Sequence, residues 1–191
     1  MTKTGSRLPG SSLHKTIFLV GFMGAGKTCV GRHLSRLLRR KFHDLDVCIE
    51  AREGRSVGKI FRESGEAAFR RAETEALVDL LKEVASAPAV AALGGGAFVR
   101  KENRALLQEA GGLVVFLDAP VDELWRRAQA ENKERPLMQD LVQFRQLYDD
   151  RYSLYQAAEV TIDTGAKDIP AVANEIILSL RLNHDYQGEV L

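Results

Sequence analysis

The chain runs Thr16-Ile-Phe-Leu-Val20 and then directly Gly21-Phe-Met-Gly-Ala-Gly-Lys27-Thr28, so an apolar run is followed by the pattern G-x-x-x-x-G-K-[ST]. Gly24 and Gly26 allow backbone conformations that a β-carbon would obstruct, and successive N–H groups then surround phosphate oxygens. Lys27 adds a charge for the β- and γ-phosphates, and Thr28 offers a hydroxyl to Mg²⁺. The alternative is a glycine-rich turn with a chance lysine. The strand, the loop and the following amphipathic helix all favour a phosphate-binding loop instead. The stretch predicts nucleotide binding without specifying the reaction.

Length and composition favour a single domain. The chain has 191 residues, of which 45% are hydrophobic and 28% charged. This length is enough for one well-buried core and short for two. The formal net charge of +1 gives no reason to expect a nucleic-acid or membrane partner. The basic residues before Asp44 suit either a DNA-binding arm or a solvated helix surface, and the apolar stripe on the same helix favours the surface.

The cysteines and the termini point to a reducing compartment. Cys29 and Cys48 have neither C-x-x-C spacing nor a nearby histidine pair, so we expect small core residues. Residues 1–14 lack the apolar segment of a signal peptide, and no apolar run reaches the ~20 residues that span a bilayer. We therefore expect a cytoplasmic protein with no membrane partner.

Short apolar runs alternate with longer helical patterns, which is typical of βαβ units and a mostly parallel sheet. Strands are expected near 16–21, 42–45, 89–93, 113–118 and 159–163. Helices are expected near 27–40, 46–53, 56–63, 66–85, 101–110, 120–130, 140–156 and 168–182. The domain would span 15–183, between a disordered N-terminal tail at 1–14 and a C-terminal tail at 184–191. Because right-handed crossovers bring the carboxyl ends of the strands to one edge, residues just after strands are the first candidates for a site.

A polar stretch, 130–139, interrupts the helical pattern. Pro136 disfavours helical geometry at Arg135, and little apolar surface is available to anchor the stretch. We expect either a mobile lid over about 128–141 or a plain surface loop.

Two carboxylates and three glycines follow predicted strands. Asp44 suits a Mg²⁺ site, and Asp46, on the same side of an extended chain, could reach a substrate hydroxyl or simply cap the next helix. Gly94-Gly95-Gly96 suggests close approach of backbone to a ligand, although a turn without function is the alternative. The strand before these glycines, near 90–93, has no aspartate, so Asp44 would have to supply the acid at the metal.

Three arginines complete the pattern. Arg70 has helical partners at Glu66 and Glu73, and Arg151 lies beside two aspartates. Taken singly, each arginine is more typical of a surface residue that is solvated or ion-paired. Beside a phosphate loop, their planar forks suit carboxylate recognition, and Arg135 suits a developing phosphoryl charge.

Taken in order, these motifs resemble the shikimate kinase family of nucleoside-monophosphate-kinase-like P-loop enzymes. The resemblance runs from about 16 to 180 and rests on six motifs: the P-loop, Asp44-x-Asp46, Phe69-Arg70-x-x-Glu73, Gly94-Gly95-Gly96, Arg135-Pro136-Leu137 and Arg151-x-x-Leu154-Tyr155. It implies an α/β/α sandwich with a five-stranded parallel sheet and substrate-binding helices at about 46–85. It implies transfer of the γ-phosphoryl group of ATP to the 3-hydroxyl of shikimate, in aromatic amino acid biosynthesis, by a monomer that requires Mg²⁺.

The resemblance also implies a role for each site residue. Shikimate would be held by Asp46, Arg70, Gly94, Gly95, Gly96 and Arg151, with both arginines on its carboxylate. ATP would be held by Gly24, Ala25, Gly26, Lys27, Thr28, Cys29, Arg127 on the adenine side, and Arg135. Thr28 and Asp44 would serve Mg²⁺, while Asp46, Lys27 and Arg135 would be catalytic. Two alternatives remain: a gluconate-type or other small-metabolite kinase, and a nucleotide-binding module without turnover.

Overall fold

The computed structural model describes residues 15–130 and 140–182. The strands are β1 (Ile17–Val20), β2 (Phe42–Asp44), β3 (Val90–Ala92), β4 (Leu113–Asp118) and β5 (Val160–Asp163). The helices are α1 (Lys27–Leu37), α2 (Leu45–Glu53), α3 (Val57–Val84), α4 (Lys101–Glu109), α5 (Val121–Ala130), α6 (Leu141–Tyr155) and α7 (Ile169–Ser179).

The five strands form one parallel sheet in the order β2-β3-β1-β4-β5. The central strand β1 pairs with β3 and β4, with Phe18 opposite both Ala91 and Val114. All four residues of β1 have 0% exposure. Since neighbouring strand residues point to opposite faces, helices must cover both sides of the sheet. This confirms the predicted five-stranded parallel α/β architecture.

Helix α3 is interrupted at Gly65, which has φ 77° and ψ 172° inside an otherwise helical run. This conformation is available almost exclusively to glycine. The break separates a short first half from a long second half, which agrees with the two helices predicted at 56–63 and 66–85. The two halves remain in contact across the break, since Phe61 and Phe69 have ring centroids 4.5 Å apart.

Two expectations about local structure are wrong. Cys29 is exposed rather than a core residue, because it lies in the first turn of α1, beside the phosphate loop. Asp46 does not continue an extended chain, because α2 begins at Leu45, and it does not cap that helix. Asp44 is the cap, and its Oδ1 accepts a hydrogen bond from the Asp46 N–H at 3.1 Å.

No helix among residues 15–130 and 140–182 is both long and apolar enough to cross a bilayer. The expected tails at 1–14 and 184–191 and most of the expected lid at 128–141 lie outside the described residues.

Candidate functional site

A cavity of about 560 Å³ opens at the carboxyl edge of the sheet. Its walls come from the β1–α1 loop, the start of α2, both halves of α3, the loop after β3, and α6. It brings together most of the residues that the sequence nominated: Gly24, Gly26, Lys27, Thr28, Cys29, Asp44, Asp46, Arg70, Gly94, Gly95, Gly96 and Arg151. Motifs that are far apart in the chain therefore face a single space.

The phosphate loop requires glycine because other backbone lies against it. Gly21 has φ 143°, and a Cβ there would lie 2.4 Å from the Leu117 carbonyl oxygen. Gly24 has φ 80°, and a Cβ there would lie 2.3 Å from the Leu124 carbonyl oxygen. These contacts fix the loop against β4 and α5. Ala25, which the loop also contains, is buried.

The Lys27 ammonium lies back over its own loop. Its Nζ donates to the carbonyl oxygens of Gly21 and Phe22, each at 2.9 Å. These carbonyls hold the charge above the loop, at the wall of the cavity where phosphate oxygens would lie. Helix α1 begins at the same residue, so its N–H groups also face this region.

Thr28 and Asp44 form a pair of oxygen donors at the cavity wall. The Thr28 hydroxyl donates to Asp44 Oδ2 at 2.8 Å. A hydroxyl beside a carboxylate suits a hard divalent cation, which prefers oxygen ligands. Among the described residues no group of three or more His, Cys, Asp or Glu side chains is placed to hold a metal. A two-residue site still fits Mg²⁺, which usually binds one or two carboxylates and completes its shell with water and phosphate.

The three glycines make room for charged side chains. A Cβ on Gly94 would lie 3.0 Å from Asp46 Oδ1 and 3.2 Å from Glu73 Oε1. A Cβ on Gly96 would lie 2.2 Å from Arg70 Nη1. The loop after β3 is therefore glycine-rich because a guanidinium and two carboxylates lie against its backbone.

Arg70 is held by carboxylates on both sides. Its Nη1 donates to Glu73 Oε2 at 2.9 Å, and its Nη2 and Nε donate to Glu66 Oε1 at 3.0 and 3.2 Å. Burial opposes the charge on Arg70, but Glu73 and Glu66 together outweigh it and raise the pKa of the guanidinium. The fork is therefore fully charged and fixed in direction at the cavity wall.

Glu73 also belongs to the site, although the sequence predicts it only as a helical partner of Arg70. Its side chain is 1% exposed, and burial raises the pKa of its carboxyl despite the opposing effect of Arg70. Only the fold shows this burial, because in sequence Glu73 looks like any surface partner at i+3.

Arg151 lies on α6 and faces the glycine loop. Its guanidinium lies 6.0 Å from the ring centroid of Phe22, and its Nη1 donates to the Gly95 carbonyl oxygen at 3.5 Å. Tyr155, one turn further along α6, also donates its hydroxyl to the Gly95 carbonyl. Burial raises the pKa of Tyr155 to about 12, so its hydroxyl remains a donor at neutral pH. Arg70 and Arg151 thus approach the glycine loop from different helices.

Arg127 does not line this cavity. Its guanidinium donates to the carbonyl oxygen of Thr164 at 2.8 Å, to the Thr164 hydroxyl at 3.1 Å and to Glu123 at 2.6 Å. It therefore lies between α5 and the loop after β5. Arg135 is outside the described residues.

The sequence also did not predict the apolar wall of the cavity. Val57, Phe61 and Phe69 line it from α3. The cavity thus has a charged part, formed by the glycine loop with Arg70 and Arg151, and an apolar part formed by Val57, Phe61 and Phe69. This combination suits a small ring that carries an acid group and hydroxyls.

Comparisons with known proteins agree with one another. The shikimate kinase family model matches residues 23–181. Shikimate kinase of Burkholderia lata is 41% identical over 173 residues, which cover 88% of this chain and 91% of the relative. The structure of shikimate kinase from Acinetobacter baumannii in complex with shikimate has a TM-score of 0.80 and 38% identity, and the match covers 92% of this chain and 99% of that chain.

More distant solved structures share the fold alone. A gluconokinase from Sinorhizobium meliloti has a TM-score of 0.59 at 18% identity, and the match covers 89% of this chain and 93% of that chain. This match shows a shared fold and carries no conclusion about the acceptor.

Proposed function

Because the chain belongs to the shikimate kinase family, we propose that the protein transfers the γ-phosphoryl group of ATP to the 3-hydroxyl of shikimate at this cavity. The products are shikimate 3-phosphate and ADP. The protein is an ATP-dependent kinase. One observation carries the choice of acceptor: Asp46, Arg70, Arg151 and the Gly94-Gly95-Gly96 loop line the same cavity as the phosphate loop. This reaction would place the enzyme in aromatic amino acid biosynthesis.

The acceptor would be held through its carboxylate and its hydroxyls. Arg70 and Arg151 present planar forks that suit a carboxylate, and the N–H groups of the glycine loop add further donors. Asp46 lies against Gly94, on the same wall, where it would orient or deprotonate the reacting hydroxyl. The apolar side of the ring would pack on Phe61 and Phe69.

ATP would be bound by the loop from Gly24 to Cys29. Lys27 would neutralise charge on the transferring phosphate, and Arg135 would join it there. Arg127 would contribute on the adenine side from its position beside Thr164. Most of the catalytic effect would come from positioning and charge stabilisation, as is general in phosphoryl transfer.

Thr28 and Asp44 would hold Mg²⁺. When bound, the ion neutralises charge that develops on the phosphates. The residues of the chain supply the rest: the Thr28 hydroxyl and the Asp44 carboxylate are already 2.8 Å apart and face the phosphate loop.

We further propose that the protein acts as a monomer in the cytoplasm. All the residues nominated for the acceptor come from one chain and line one cavity. Both cysteines are free thiols, which suits a reducing compartment. Its substrates are two small molecules, which require no nucleic-acid or membrane partner.

The experiment that tests the acceptor measures ADP release from MgATP with shikimate, with gluconate and with no acceptor. Shikimate should give rapid release, and the other two should give little. Faster release with gluconate would favour the small-metabolite kinase alternative. Nucleotide binding with no acceptor-dependent release would favour a module without turnover.

A further inference from the structure

Tyr155 is buried between the sheet and the glycine loop. Its side chain has 0% exposure, and its ring stacks on Phe116 of β4 with centroids 5.1 Å apart and an interplanar angle of 20°. Its hydroxyl donates to the carbonyl oxygen of Gly95. The ring is thus held by packing, and the hydroxyl is directed at the backbone of the loop.

The Gly95 carbonyl has two donors from the same helix. Arg151 and Tyr155 are four residues apart, so their side chains share one face of α6. The Arg151 contact is long, at 3.5 Å. If Arg151 turned its guanidinium towards a substrate carboxylate, it would give up this contact, and the Tyr155 hydroxyl would then keep the half-buried carbonyl satisfied.

The direction of this carbonyl fixes the donors beside it. No peptide bond among the described residues is cis, so the Gly95 C=O and the Gly96 N–H point in opposite directions. In the part of the chain that the structure describes, the N–H groups of Gly95 and Gly96 donate to no backbone carbonyl. A loop of three glycines has little stiffness of its own, so a tether at the Gly95 carbonyl sets the direction of the Gly96 N–H in the same peptide plane and restrains the neighbouring Gly95 N–H.

We propose that Tyr155 is a positioning residue for the acceptor, which acts through the Gly95 carbonyl to hold the N–H groups of the glycine loop in their binding direction. This inference rests on the proposed function. It assigns Tyr155 no contact with either substrate. Its effect should appear in binding of the acceptor and leave binding of ATP unchanged, because Gly21 and Gly24 fix the phosphate loop against Leu117 of β4 and Leu124 of α5.

The test is Tyr155→Phe, which removes the hydroxyl and keeps the stacked ring. The KM for shikimate should rise about 3- to 10-fold, the effect of one lost hydrogen bond, while the KM for ATP stays unchanged. Tyr152→Phe is the matched control, because Tyr152 also packs on Phe116 from α6 and its hydroxyl interacts with Asp118 instead of the loop. It should leave both KM values unchanged.

An unchanged KM for shikimate in Tyr155→Phe would overturn the proposal. A parallel rise in both KM values, with a lower melting temperature, would also overturn it, because a residue that only packs the core affects both sites. If Tyr155→Phe does not fold, Phe116→Leu loosens the stacked ring and leaves the hydroxyl in place. A selective rise in the KM for shikimate there supports the proposal, and equal changes in both KM values contradict it.

The wild-type protein separates this inference from the proposed function. If the wild type releases no ADP with shikimate, the proposed function itself is wrong. If it does, and Tyr155→Phe behaves like the wild type, only the role of Tyr155 is wrong.

Discussion

At the scale of single residues, the site depends on charges that contact one another across short stretches of backbone. Asp46 and Glu73 lie against Gly94, and Arg70 lies against Gly96. The sequence predicted the residues that carry recognisable motifs, such as Asp46 and Arg70. It did not predict that Glu73 is buried or that Tyr155 contacts Gly95, because both facts depend on how helices distant in the chain pack against the loop after β3.

Asp46→Asn should lower kcat about 100-fold or more and leave the KM for ATP unchanged. The amide keeps the size of the side chain but cannot take up the proton of the acceptor hydroxyl. Steady-state kinetics with shikimate varied at saturating ATP will measure this. Glu50→Gln makes the same isosteric change in another carboxylate of the cavity wall and serves as the control. A nearly normal kcat in Asp46→Asn would remove the assignment of Asp46.

Asp44→Asn should raise the Mg²⁺ concentration needed for half-maximal rate, because an amide lacks the negative charge that favours the cation. Asparagine can still cap α2, so the helix that Asp44 now caps should be retained. The measurement is a titration of rate against free Mg²⁺ at fixed ATP. Asp46→Asn is the comparison, since its requirement for Mg²⁺ should match that of the wild type. Equal requirements in Asp44→Asn and the wild type would contradict the metal assignment.

The buried carboxyl of Glu73 predicts a pH dependence of stability. Burial raises its pKa, so the folded protein binds a proton at pH values above the ordinary 4.5, where the unfolded chain does not. The free energy of unfolding therefore falls as pH rises through the folded pKa, and it recovers on acidification. Relative to Glu73→Gln, the melting temperature of the wild type should rise as pH is lowered from about 8 to about 5.

Glu73→Gln is the right reference for this comparison because it cannot titrate. Arg70 loses one partner in the variant, but a guanidinium stays protonated at every pH measured, so that loss is a constant offset. A difference in melting temperature that stays flat, or that moves in favour of the variant on acidification, would show that the pKa of Glu73 is not raised.

At the scale of helices and strands, most of the fold could be predicted from the sequence. The five predicted strands lie within one or two residues of the observed ones, because short apolar runs between helical patterns are local features of the sequence. The break in α3 was also predictable, because Gly65 interrupts the helical pattern. The exposure of Cys29 was not, because an apolar neighbourhood in sequence says little about which face of α1 the residue occupies.

Gly65→Ala should lower the free energy of unfolding by about 1–3 kcal/mol. A Cβ at Gly65 meets no atom within 4 Å, so the cost comes only from the backbone conformation. Gly54→Ala is the matched control, because its Cβ also meets no atom and its φ of 65° and ψ of 16° are available to alanine at about 1 kcal/mol. Urea unfolding of both variants measures the difference. A cost for Gly65→Ala at or below that of Gly54→Ala would mean that α3 straightens without strain.

At the scale of the whole molecule, one parallel sheet brings five separate segments to one edge. The order β2-β3-β1-β4-β5 places the phosphate loop between the glycine loop after β3 and the start of α5 after β4. The nucleotide and the acceptor can therefore meet without a second domain. The phosphate loop predicts nucleotide binding, and the alternation of short apolar runs with helical patterns predicts the fold. The residues after β2 and β3 and on α3 and α6 predict the acceptor.

The position of the transferred phosphate tests this arrangement most directly. In the proposed function, the arginines bind the carboxylate and Asp46 contacts the reacting hydroxyl, which the resemblance to shikimate kinases implies is the 3-hydroxyl. We expect ³¹P NMR of the product from wild-type enzyme, MgATP and shikimate to show one new phosphate monoester coupled to the proton on carbon 3, formed in equal amount to ADP. Phosphate on another hydroxyl, or free inorganic phosphate in place of the ester, would contradict the proposed site.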